Sequence, residues 1–469
     1  MNVIRFSAPE VLEFLGGPQL KIAGRKYRFN KFILKSDYND IEQVWLNSFT
    51  GSIVSIKYVE IDNMFMNCYL DYVDYLIQNY YLVPEDFDEE SLMEEYRNHK
   101  YIPITVNSLD RLRSYTILTT TQCNARCFYC YQNIDHNKHH MTEETARDVV
   151  KYIANTSWQN ETIFLGWFGG EPLYNAKVID IITYGVIATG RSVRSSMISN
   201  GYLMNKELAI KAFNEWHVNN IQITLDGTKD VYNKIKRYIY KDDPNPFRTV
   251  IQNIHHMLDV GMSVSIRLNC GTHNGEDLCN LVRYLGEEFP NYPNLSVYAH
   301  ELFDEQNKRT DEQNKKIFEN MMIVEDLISN YNFRIDGGDI PGSIKTVHCM
   351  VDSGDAVIIS PSGELGLCEH YQNSKFYGNI NDLNHKDLDV LRNWRVKSQY
   401  TEICKDCPIK PTCLKLADCP DKNICNIYEK EYHLKRDREN LKYIYDKWQE
   451  EQKKNLDNPE KSCSCGTKE

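Results

Sequence analysis

Fifteen of the 469 residues are cysteines, and their spacing is the first chemical signal in the chain. Cys123, Cys127 and Cys130 form Cys-x3-Cys-x2-Cys in one short loop. Thiolates are soft ligands that select iron–sulfur clusters or zinc. Three of them so close together suit three irons of a cubane and leave the fourth iron without a protein ligand. A structural zinc site wants four closed ligands. His136, His139 and His140 lie just beyond the cysteines, so Cys3His zinc is the competing reading. Seven more cysteines, Cys349, Cys368, Cys404, Cys407, Cys413, Cys419 and Cys425, crowd into fewer than 80 residues. Cys463 and Cys465 sit on a polar tail, where flexibility is the default and a ligand or thiol relay the alternative. Cys68, Cys270 and Cys279 stand alone and read as small buried hydrophobes.

Such groups need a scaffold. Strand patterns at 115–120, 162–168, 192–198, 221–225, 263–268 and 295–300 alternate with helical patterns at 142–155, 176–189, 205–216, 249–260, 275–288 and 312–331. Thr142 reads as an N-cap and Gly261 as a C′ residue. Six βα units in series imply a parallel sheet under outer helices, short of a complete eight-stranded barrel. Ligands then belong at the C-terminal strand ends, where the cysteine triplet follows the first strand. The first hundred residues read as a small α+β unit. It holds a strand at 27–34, a hairpin at 44–56 turning at Asn47, Ser48 and Gly51, a helix or strand at 70–82 and a charged helix at 89–98. A further charged helix covers 432–453.

The other strand ends carry motifs too. Strand two is followed by Trp167-Phe168-Gly169-Gly170-Glu171-Pro172, and strand three by Ser199-Asn200-Gly201. Strand four leads into Leu225-Asp226-Gly227 with Tyr232, Asn233, Lys236 and Arg237, and strand five ends in Arg267-Leu268-Asn269. Paired glycines permit close backbone approach to a ligand, and a carboxylate suits an ammonium. With the cysteine triplet, this order over residues 115–300 resembles the radical S-adenosylmethionine (radical SAM) superfamily. The resemblance implies that the open iron binds the amino and carboxylate groups of SAM. It implies a SAM amino-group contact for Gly169, Gly170 and Glu171, and ribose or carboxylate contacts for Ser199 and Asn200. Tyr129 would pack near the adenine or serve as a plain loop aromatic. Where relatives place an arginine on the SAM carboxylate, this chain has Lys236 with Arg237 beside it. Arg267 would contact SAM or pair with a carboxylate.

The later cysteines resemble the SPASM extension of that superfamily, which holds two auxiliary four-iron clusters. Cys404-x2-Cys407-x5-Cys413 matches its second block, but the next interval, to Cys419, is five residues rather than three. By the resemblance, Cys404, Cys407, Cys413 and Cys425 ligate the outer cluster, and Cys349, Cys368 and Cys419 the inner one. A fourth inner ligand is not evident. A zinc ribbon or disulfides are the plain alternatives.

Composition narrows the class. The charge sum is −12, so nucleic acid and anionic membranes are not default partners. No apolar run approaches the ~18 residues of a membrane span. The N-terminus lacks a secretory pattern, and a cytoplasmic location is expected. The expected architecture is α/β: a partial (β/α)6 TIM-like barrel at 107–335, a small N-terminal α+β, winged-helix-like unit at 1–106, a cysteine-rich iron–sulfur region at 336–430 and a helix with tail at 431–469. The resemblance implies three 4Fe-4S clusters and SAM as cofactors, a flavodoxin- or ferredoxin-type electron donor, and cleavage of SAM to a 5′-deoxyadenosyl radical that takes hydrogen from an unactivated carbon. The long N-terminal region favours a precursor peptide with a leader as substrate, cross-linked through a thioether. The alternatives are an anaerobic sulfatase-maturing enzyme that forms formylglycine, and a non-catalytic electron carrier or zinc scaffold. The residue acting as catalytic acid or base is not legible.

Overall fold

The computed structural model describes residues 1–64, 70–100, 111–134, 139–302, 309–334, 342–346, 350–371, 376–387, 389–390, 400–414 and 425–457. Cys68, His136, Cys349, Cys419, Cys463 and Cys465 lie outside them.

The N-terminal strands are β1 (Asn2–Arg5), β2 (Tyr27–Phe29), β3 (Ile33–Asp37), β4 (Glu42–Asn47), β5 (Ile53–Lys57) and β6 (Leu82–Pro84). Four of them form an antiparallel sheet in the order β1-β5-β4-β3, and β2 pairs with β6. The single strand expected at 27–34 is two. Asn30 breaks it by accepting from Phe32 N–H at 2.9 Å while its amide donates to Tyr80 O at 3.2 Å. The ambiguous 70–82 stretch is the helix Leu70–Gln78, and Tyr80 at φ +58° turns the chain into β6.

Six βα units follow as expected, with strands β7 (Ser114–Thr120), β8 (Thr162–Gly169), β9 (Ser192–Ser199), β10 (Val218–Leu225), β11 (Ser263–Cys270) and β12 (Leu295–Glu301). They run parallel in the order β7 to β12. Thr142 caps the helix Glu143–Thr156 by accepting from Thr145 N–H at 3.0 Å. The helix-facing sides of the strands are buried, as with Trp167, Met197, Ile223 and Leu268, whereas Ile198 on the inner side of β9 is 41% exposed. That alternation places the apolar core between sheet and helices and leaves the concave side open to a ligand.

The cysteine-rich region joins the same sheet. β13 (Ala356–Ile359) pairs parallel to β7, and β14 (Glu364–Gly366) and β15 (Gly378–Asn379) continue antiparallel. The C-terminal helix Ile427–Asp457 lies across the N-terminal sheet, with Leu434, Leu441 and Tyr445 packed on Leu34, Val44, Leu46 and Ile53. It also touches the last barrel helix, Asp311–Ile328, through Phe318 and Tyr432, whose ring centres are 5.8 Å apart. Among the described residues, no helix is long and apolar enough to cross a membrane.

Candidate active site at the C-terminal strand ends

The cysteine loop leaves β7 and is held by backbone pairing on two sides. Gly170 N–H donates to Thr120 O and Glu171 N–H to Gln122 O, each at 2.9 Å, at the end of β8. Both glycines are required by this approach. A Cβ on Gly170 would sit 2.2 Å from Gln122 O, and Gly169 has φ +135° with its Cβ position 2.2 Å from Thr120 O. On the other side, Arg126 N–H donates to Lys236 O at 2.7 Å and Ile239 N–H to Asn124 O at 2.9 Å. The loop is thus clamped between the ends of β8 and the segment after β10.

Within it, Cys123 Sγ accepts from Ala125 N–H at 3.3 Å and from the Asn200 side-chain amide at 3.7 Å. Burial, then the nearby Glu171 charge, pushes the Cys123 thiol up to about 12. Burial also raises Cys127, against the opposing pull of Lys236. Loading a metal cluster would therefore displace protons from neutral thiols. Of the following histidines, His139 lends its backbone carbonyl to Thr120 and Thr121, and His140 stacks on Tyr174. Among the described residues, no three His, Cys, Asp or Glu side chains gather about one ion position. A cubane asks for a different arrangement, one thiol per iron, and three soft donors in one loop with N–H groups aimed at sulfur fit that chemistry.

Glu171 is wholly buried. Its Oε1 accepts from Ser199 Oγ at 2.9 Å and Leu173 N–H at 3.2 Å, and its Oε2 from Asn200 N–H at 2.9 Å. Burial raises its pKa to about 7, although these three donors pull the other way. The carboxylate thereby ties the end of β8 to the turn after β9, and Asn200 carries the link on to Asn124 at 2.6 Å.

Lys236 ends the helix Lys229–Lys236, an element the sequence reading did not anticipate. Its ammonium meets Asp226 Oδ2 at 2.9 Å, Thr224 Oγ1 at 2.7 Å and Tyr129 Oη at 3.2 Å. Tyr129 Oη also lies 2.9 Å from Asp226 Oδ2, and Asn269 donates to Asp226 Oδ1 at 2.8 Å. Burial alone would lower the Lys236 pKa, but Asp226 and its neighbours hold it well above the usual lysine value. Arg237 is exposed and donates to Arg126 O at 3.0 Å. Arg267 bonds Asn269 Oδ1 at 3.0 Å and the His300 ring at 2.9 Å rather than a carboxylate. Sequence reasoning named Tyr129, Lys236 and Arg267 separately. It missed that Asp226 and Asn269 join them into one buried network, although both residues stood in its strand-end motifs.

In the C-terminal region, Cys368 lies near Tyr131, the residue after Cys130, whose ring stacks on His370 with centres 4.6 Å apart. Cys404, Cys407, Cys413 and Cys425 line one cavity of about 1550 Å³, which reaches the inner faces of β9 to β12 at Ile198, Gln222 and Tyr298. Cys270, the last residue of β11, is buried in the apolar core and Cys279 is half-buried, as expected for isolated thiols.

Comparison with known proteins agrees with this geometry. The profile of the radical SAM superfamily matches residues 117–285. An uncharacterised protein of Methanocaldococcus jannaschii is 23% identical over 288 residues, 61% of this chain and 94% of that protein. A probable GTP 3′,8-cyclase of the same organism is 26% identical over 224 residues, 45% of this chain and 70% of that one. Native anSMEcpe with bound AdoMet superposes with a TM-score of 0.53 at 15% identity, covering 72% of this chain and 99% of that one. The same protein with AdoMet and the Kp18Cys peptide gives 0.52 at 15%, again over 72% and 99%. The radical SAM profile thus falls on the stretch that carries the three-thiol loop and the parallel strands from β7 to β11, and this chain is similar to that superfamily there.

Proposed function

We propose that the chain is a peptide maturase of the SPASM type, which uses SAM to abstract hydrogen from a ribosomally made precursor and install a cross-link, a thioether. The carrying observation is the large cavity that has the inner barrel face on one wall and Cys404, Cys407, Cys413 and Cys425 on another. A substrate there lies between the inner face of the barrel and these four cysteines, which suits a product radical that must give up an electron, or a substrate thiol that must be held. With its cluster and SAM bound, the site has one-electron reduction and hydrogen-atom abstraction at its disposal.

This chain's residues then do the positioning. Glu171, Ser199 and Asn200 present a preorganised polar wall beside Cys123, and Gly169 and Gly170 bring the end of β8 against the loop, where their backbone stands near the ligand's amino group. Tyr129, within the cysteine loop and bonded to Asp226, packs near the adenine, and Arg267 at the end of β11 offers a second polar contact. Cys123, Cys127 and Cys130 hold the SAM-binding cluster, and the cysteines from Cys349 to Cys425 hold two auxiliary ones. Residues 1–106 capture the leader, 107–335 carry the SAM chemistry, 336–430 the auxiliary clusters, and a flavodoxin- or ferredoxin-type donor supplies the electron.

Anaerobic reconstitution followed by iron and sulfide counting tests the cluster content, with about twelve irons expected for three cubanes. Mass spectrometry of a candidate peptide tests the reaction. A loss of two hydrogens supports a cross-link. Conversion of a cysteine to formylglycine overturns it in favour of sulfatase maturation, and turnover of GTP without any peptide points to nucleotide chemistry instead. Zinc alone in the reconstituted protein sinks the enzyme reading.

A further inference from the structure

The segment Lys236 to Ile239 touches both spacers of the cysteine motif. Arg126, in the first spacer, donates its N–H to Lys236 O at 2.7 Å, and Tyr129, in the second, receives the Lys236 ammonium at 3.2 Å. Arg237 then adopts φ +45°, a left-handed turn that lets its own Nε reach Arg126 O and brings Ile239 N–H to Asn124 O. An ammonium has three N–H donors. Here three acceptors face it: Asp226, Thr224 and Tyr129. The side chains of Lys236 and Asp226 are 2% and 1% exposed, so a ligand carboxylate could reach the ammonium only by displacing a buried ion pair. Asn269 secures Asp226 from the far side.

We propose that Lys236, paired with Asp226, is a positioning residue of the SAM-binding cluster, clamping the Cys123–Cys130 loop and setting a buried positive charge against its second spacer at Tyr129, and that it does not hold the SAM carboxylate. The proposal rests on the reading that this loop carries a four-iron cluster. Reduction adds negative charge to such a cluster, so a buried cation against its loop favours the reduced state and a buried anion there opposes it. The pair therefore makes opposite predictions for its two members.

The test uses the full chain, reconstituted anaerobically, as wild type, Lys236→Met, Asp226→Asn and the double variant. The readouts are iron content, SAM affinity, and the midpoint potential of the cluster whose EPR signal changes when SAM is added. Lys236→Met should lower that potential and Asp226→Asn should raise it. The double variant should return towards wild type, because no buried charge is then left without its partner. SAM affinity in the double variant should stay within about threefold of wild type, whereas losing a direct ammonium–carboxylate contact would weaken it about tenfold or more. Should Lys236→Met fail to take up its cluster, Asp226→Asn, which keeps the side-chain shape, carries the sign alone. Unmoved potentials, shifts of the same sign, or a tenfold loss of SAM affinity in the double variant would overturn the proposal. A wild-type chain that takes up no iron overturns the cluster reading and this proposal with it; a wild-type cluster with unresponsive variants overturns this proposal alone.

Discussion

At the residue scale, the site is made of polar groups that burial holds away from their ordinary behaviour. Cys127→Ala removes the middle thiol of the triplet and should abolish production of 5′-deoxyadenosine in a reductant-driven assay; production that survives would mean the cluster is held elsewhere. Glu171 gives a pH signature. Its carboxyl is raised from 4.5 to about 7 in the folded chain, so folding favours its protonated form. Its stabilising contribution is full below the unfolded pKa and is lost as pH rises through the folded one. Between about pH 4.5 and 7 the cluster-free protein should lose about 3 kcal/mol through this group. Chemical denaturation against pH checks this, and Glu171→Gln should flatten that part of the slope.

At the element scale, the decisive contact is edge to loop. The end of β8 lies against the backbone of Thr120 to Gln122 with no room for a side chain. Gly170→Ala should therefore push the cluster loop aside. We expect a loss of about 1–3 kcal/mol in stability and a drop in iron uptake together, read by thermal melting and iron counting on one preparation. A variant with full iron and an unchanged melting point would show that the loop tolerates the displacement. The paired glycines were legible as a close approach. That their near neighbour is the protein's own cluster loop was not, because Thr120 and Gly170 are separated by fifty residues of sequence and by a whole βα unit.

At the scale of the whole molecule, chain ends are brought together. Arg97, from the helix Glu89–Lys100, buries its guanidinium among the carbonyls of Lys410, Pro411 and Cys413, at 3.2, 2.9 and 3.1 Å, and reaches Lys345 O at 3.2 Å. Lys410 returns the link to Glu90 at 2.7 Å. Arg97→Ala should leave several buried carbonyls without a donor, costing about 2–4 kcal/mol, and should loosen the Cys404–Cys413 segment. Denaturant midpoints together with iron content give the check: lower stability with a lower iron content is expected, and unchanged values in both would make the contact incidental.

Much of the architecture was legible in sequence because it depends on local period. Alternating strands, capped helices such as the one opened by Thr142, and a Cys-x3-Cys-x2-Cys loop after the first strand need only near neighbours, so order and spacing determine them. The six βα units follow from the same local rules, which also put the candidate ligand residues at the strand ends. What only the tertiary structure decided is which polar groups share the buried space. Lys236 reads as a ligand contact in sequence, yet its three donors meet Asp226, Thr224 and Tyr129, contributed by the end of β10 and the cysteine loop. Likewise, the cysteine-rich region reads as an appendage but extends the barrel sheet through β13 on β7. An ammonium or a strand edge can be satisfied by any acceptor that arrives, and arrival depends on long-range packing, which residue order alone does not encode locally.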